Sequence, residues 1–108
     1  MKKLTIALMV SLFSITAWSA TLITCDGMTN SNRTLLLAIQ NEKLLQVRVQ
    51  TEGSGTRAFA VNQISTNENS SFYTMLGTTN IVEIQNTVLR LDGGWLNIGH
   101  EKFACDSN

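Results

Sequence analysis

A single histidine, His100, is all the imidazole this sequence offers. A zinc or similar site draws on several His or Cys ligands, and no carboxylates stand at a spacing that would complete one around His100. Basic runs are missing too. Arg33, Lys43, Arg48, Arg57, Arg90 and Lys102 are scattered singly, so the chain lacks the positive stripe that nucleic-acid binding requires. Gly53-Ser54-Gly55 has neither the flanking spacing of a nucleophile elbow nor the lysine of a phosphate-binding loop. The carboxylates do not pair in a way that suggests glycoside hydrolysis, and the chain is short for an enzyme cleft. Proline is absent, which is unusual for a chain of strands and turns, and Gly, Asn and Asp are left to mark the turns. No catalytic residue, metal ligand or cofactor is expected, and no nucleic-acid partner.

Long apolar runs are also scarce, and the one present lies at the N-terminus. Lys2 and Lys3 precede an apolar stretch over residues 4–17, followed by the small residues Ala17, Ser19 and Ala20. That stretch falls short of the roughly 20 residues of a spanning helix and has the layout of a secretion signal. Cleavage after Ser19 places Ala17 and Ser19 where signal peptidase needs small side chains, whereas cleavage after Ala20 would place Trp18 there. The expected organisation is a signal peptide over residues 1–19 and one exported domain over 20–108. No membrane span is expected in the mature chain, and its location is periplasmic or extracellular.

Two cysteines, Cys25 and Cys105, allow one intramolecular pairing. An oxidising compartment favours that disulfide over two free thiols. Lipidation of Cys25 is the rival, but Thr24 stands where a lipoprotein box has a small residue, and Cys105 would lose its partner. A bridge from near one end of the domain to near the other closes almost the whole chain into a loop. Chain-entropy reasoning assigns such a loop about 4–5 kcal/mol, a large share for a domain of this size.

The hydrophobic period is two more often than three to four. Leu45, Val47 and Val49 alternate with Gln46, Arg48 and Gln50, the pattern of a half-buried strand. Residues 34–39 form a short apolar run before it, with Asn41-Glu42-Lys43 as the connection. Helix competes over residues 35–45 on propensity, and the alternation favours strand. Further strands are expected over 59–64 and 72–76, among Ile81, Val82, Ile84, Val88, Leu89 and Leu91, and over 95–98 and 103–105. Glu52-Gly53-Ser54-Gly55 reads as a turn, and Asp92-Gly93-Gly94 as the clearest hairpin signal. The fold class is all-β: a small antiparallel barrel or sandwich, closed by one disulfide.

Candidate site residues follow. His100 with Ser54 and Asp106 could be nominated for a small hydrolase, but a sequence this rich in Ser and Asp offers many such triples, and a surface histidine beside Glu101 and Lys102 is the plainer reading. Phe59, Phe72, Tyr73, Trp95 and Phe103 could form an aromatic recognition surface, but most are expected to fill the core. Trp95, directly after a turn, is the one expected to be partly exposed, although core packing is the favoured role even there.

Cys25-Asp26-Gly27 early in the chain, a β-rich middle and Cys105 near its end resemble the periplasmic and membrane-bound inhibitors of C-type lysozyme. Those are small exported eight-stranded barrels with an early cysteine bonded to a late one. Their inhibitory loop carries Ser-Gly followed closely by tyrosine; Ser54-Gly55-Thr56-Arg57-Ala58 is similar, with Ala58 in the tyrosine's place. A second motif leads an aromatic strand into Lys-Gly; Phe72-Tyr73-Thr74-Met75-Leu76-Gly77 is similar, with Leu76 in the lysine's place. The resemblance implies a non-enzymatic binding module whose partner is a protein or envelope component, lysozyme being the candidate. Ser54, Gly55 and Arg57 would contact the partner, with Trp95 a further contact surface. An envelope or surface assembly protein that adds a partner to exposed strand edges is the alternative.

Overall fold

The computed structural model describes residues 20–29 and 32–107; the expected signal segment, 1–19, lies outside them. Eight strands run in chain order around a closed antiparallel barrel, each paired with its sequence neighbours. They are β1 (Thr21–Gly27), β2 (Arg33–Gln40), β3 (Lys43–Thr51) and β4 (Gly55–Thr66), then β5 (Ser70–Met75) and β6 (Ile81–Gln85). A single-turn helix, α1 (Asn86–Leu89), precedes β7 (Gly94–Ile98) and β8 (Glu101–Cys105).

Alternation decides which side chains fill the barrel. On β2, Leu35, Leu37 and Ile39 are buried while Thr34, Leu36 and Ala38 are half-buried, so the short apolar run is a strand despite its helix-forming residues. Opposite it, Val49 and Val47 face Leu35 and Leu37. Between Ala38 and Ile39 the register shifts, and Leu44, not Leu45, is the buried residue there. The strand carries one extra residue at that bulge, which turns Leu45 outward and breaks the simple alternation expected of it. The Leu44 amide donates to the buried Tyr73 hydroxyl at 3.1 Å, which ties β3 to β5 across the barrel.

The two-residue turn between β2 and β3 holds Asn41 and Glu42 at φ 54° and 62°, the left-handed pair that suits the twist of a tight hairpin. Asp92-Gly93-Gly94, by contrast, does not join two strands. Residues 86–89 form α1 rather than continuing a strand, and the segment leads from that helix into β7. Gly94 is needed there because a Cβ would stand 2.5 Å from Gln85 Oε1 and 2.8 Å from Thr87 Oγ1. That close approach lets Gln85 Oε1 accept the Trp95 amide at 3.0 Å.

The seam between β1 and β8 is short: Cys25, Asp26 and Gly27 face Cys105, Ala104 and Phe103. Asp106 donates its amide to the Thr24 carbonyl, so Cys25 and Cys105 form a non-hydrogen-bonded pair, the closer of the two antiparallel types. Their Cα atoms are 4.0 Å apart and the side chains are joined as a disulfide. The bridge pins the strand pair that closes the barrel.

The two ends of the barrel differ. At one end, Val88 and Leu89 of α1 are buried among the core residues and stop the interior. Asn86 fastens this cap: its Nδ2 donates to the Asn67 carbonyl at 2.8 Å, and its Oδ1 accepts from the Ser71 hydroxyl at 2.7 Å. At the other end the segments after β1, β3, β5 and β7 converge, and among the described residues no helix covers them.

Candidate functional site

The uncapped end holds an open cavity of about 400 Å³. Its floor is apolar, made by Leu35, Val49, Phe59, Met75, Ile98 and Phe103. Arg33, Glu101 and Arg57 line it above that floor, joined by Thr51, Ser54 and Gly55 on one side and Thr78 and Asn80 on another.

Strand phase explains the three charged residues. Arg33 continues the inward series of Leu35, Leu37 and Ile39; Glu101 precedes Phe103 and Cys105; Arg57 precedes Phe59 and Val61. Each sits at a strand end, one step beyond the apolar layer, where an inward side chain reaches the mouth instead of the core. Arg33 and Glu101, separated by 68 positions in sequence, form an ion pair there. Arg33 Nε is buried and has no hydrogen-bond partner among the described residues.

Arg57 stands differently. Its guanidinium carbon lies 5.9 Å from the centroid of the Phe59 ring, an outer-limit cation–π contact. The ion pairs among the described residues are Arg33–Glu101 and Arg90–Glu42, and Arg57 belongs to neither. With Glu101 already engaged by Arg33, the mouth carries one uncompensated positive charge. Glu52, in the turn beside it, borders a separate outer groove with Asn32, Thr34 and Gln50.

The β3–β4 turn brings Ser54 to the rim. Ser54 donates its amide to the Thr51 carbonyl at 2.9 Å, and Gly53 and Gly55 on either side have φ of 81° and 84°. Two left-handed positions flanking one serine are why this turn needs glycine on both sides. Ser54 is exposed, with its backbone held by the hairpin.

Three of the residues singled out from sequence, Ser54, Gly55 and Arg57, thus share the rim of one cavity. Trp95 is elsewhere. Leu96 points inward, so Trp95 points outward, and it is the second residue of β7, near the capped end of the barrel. It is half-buried, with Lys102 Nζ 5.1 Å from the centroid of its ring. Tyr73 and Phe103 are buried in the core, so the aromatic residues do not assemble into one recognition surface.

His100 is exposed in the β7–β8 turn at the mouth end. Asp106 follows β8 at the capped end, so Ser54, His100 and Asp106 are not gathered as a triad. Arg33, Glu101, Thr78 and Asn80 are mouth residues that no sequence motif singles out. For Arg33 and Glu101 a signal exists: a charge that continues the inward phase of an apolar strand marks a barrel mouth. Among the described residues no group of three or more His, Cys, Asp and Glu could hold a metal ion, and no helix is long and apolar enough to cross a membrane. No protein-family model, curated protein or solved structure matches the chain.

Proposed function

We propose that this chain is an exported binding module that offers the open end of its barrel to a carboxylate-bearing cleft on a protein partner, with C-type lysozyme as the candidate. The observation that carries this reading is Arg57: an inward-phase guanidinium, beside an exposed Ser54 turn, with no carboxylate of its own. A guanidinium forms paired hydrogen bonds with a carboxylate more readily than an ammonium does. Glycosidases of the lysozyme type present two carboxylates on either side of the scissile bond, a matching acceptor for one free cation.

In this reading the β3–β4 turn enters the partner's cleft. Arg57 meets the catalytic carboxylates, and Ser54 supplies a hydroxyl that either donates or accepts. The Arg33–Glu101 pair lines the mouth beside them. The Cys25–Cys105 disulfide fits an oxidising compartment, and the N-terminal segment supports a periplasmic or extracellular location.

The test is inhibition of C-type lysozyme acting on peptidoglycan, with the oxidised protein and its variants. Ser54→Ala combined with Arg57→Ala is expected to weaken inhibition at least about tenfold, since losing one partner of a desolvated charge pair costs several kcal/mol. Trp95→Ala is expected to leave inhibition intact. Inhibition that survives the double substitution, or no inhibition by the unaltered protein, would remove the reading.

A further inference from the structure

Among the described strands, β4 is the one in which no residue is buried. Ten of its twelve residues are exposed, and Phe59 and Val61 are half-buried. The cause is a change of neighbour along its length. Up to Ala60 the strand pairs with β3; from Val61 to Thr66 it pairs with β5. The β3 ladder stops at Gln46 opposite Ala60, so residues 61–66 have, among the described residues, a strand on one edge only.

Such an edge is a template for another strand, and folded proteins usually blunt it with lysine, proline, an inward charge or a bulge that twists the strand away. Residues 58–67 contain no charged residue, no proline and no glycine. The single irregularity is a bulge between Gln63 and Ser65, and the residue it carries is Ile64, an apolar side chain left 52% exposed.

We infer that residues 61–66 pair antiparallel with the same segment of a second copy, which forms a two-fold dimer across β4. A two-fold axis makes each residue meet its own segment reversed, so any charge near the axis faces a like charge. The stretch itself is uncharged between Arg57 and Glu68, and of the charged residues that border the groove beside Gln63 and Thr66, Glu42 and Arg90 pair with each other, leaving Lys43. The reading is independent of the barrel mouth, and either can fail without the other.

The test is sedimentation equilibrium of the exported, oxidised protein over a concentration series, with amide hydrogen exchange on the same samples. A monomer–dimer equilibrium is expected, with amides of residues 61–66 gaining protection as concentration rises. Ile64→Lys and, separately, Asn62→Lys place like charges against each other and are expected to raise the dissociation constant at least about tenfold. Both positions are exposed in the single chain, so the fold should tolerate either change. Leu22→Lys, at an apolar residue 60% exposed on β1, is expected to leave the dimer unchanged. A protein that stays monomeric to about 0.5 mM, a dimer indifferent to both β4 substitutions, or a dimer weakened equally by Leu22→Lys would overturn the inference.

Discussion

Opening the Cys25–Cys105 bridge is expected to be the most damaging single chemical change this domain can suffer. The sequence separation of 80 gives a loop-closure contribution of about 4.5 kcal/mol at room temperature. A domain of this size has about 5–13 kcal/mol of stability in total, so the bridge accounts for a third of it or more. Its position adds to the effect. The seam it closes has three residue pairs, against eight between β2 and β3, so few backbone hydrogen bonds remain there once it opens. At 4–8 °C per kcal/mol, the thermal midpoint should fall by about 20–35 °C. Guanidinium titration with and without reductant, followed by tryptophan fluorescence, measures the difference. Cys25→Ala with Cys105→Ala should cost at least as much as reduction, because Cys25 is fully buried and its volume is lost as well. Midpoints that agree within error between the oxidised and reduced proteins would refute the reasoning and place the stability in the core alone.

Two other substitutions test the local readings of the fold. Tyr73→Phe keeps the ring but leaves the Leu44 amide, which donates to the Tyr73 hydroxyl, without its partner; a loss of about 1–3 kcal/mol is expected in the same titration. Glu42→Gly should stabilise by about 0.5–1 kcal/mol, because a non-glycine residue at φ 62° carries a penalty that exceeds the entropy cost of glycine. The contact it removes, Glu42 to Arg90 at 3.9 Å between exposed side chains, contributes little.

Local pattern carried the strands whose burial follows one period. The short apolar run over residues 34–39 as a strand, and the pairing of the only two cysteines, were both legible without a structure, although which residues of that run face inward was not. What escaped depends on neighbours distant in sequence. Leu45 reads as an inward residue until a bulge, fixed by the register against β2, hands that role to Leu44. Val88 and Leu89 have the composition of a strand, yet they cap the barrel as one helical turn. β4 extends to both sides of its apolar centre because two different strands each pair with half of it.

The candidate site divides in the same way. Ser54, Gly55 and Arg57 are near neighbours in sequence, so a turn motif could find them. Arg33 and Glu101 meet only because β1, β2 and β8 are adjacent around a closed barrel, and nothing local announces that. Trp95 shows the converse. Its place after a glycine turn suggested partial exposure, but exposure does not say which face or which end, and the phase set by Leu96 turns it away from the mouth.

We propose the uncapped end of the barrel as the binding surface. The most direct test is an NMR titration of the isotope-labelled, oxidised protein with C-type lysozyme, following backbone amides and the Trp95 indole together. The account expects shifts concentrated at Arg33, Ser54, Gly55, Arg57, Asn80 and Glu101, with the Trp95 indole and the α1 cap unmoved. Shifts centred on Trp95 or on the capped end, or a spectrum that does not change as lysozyme is added, would contradict it.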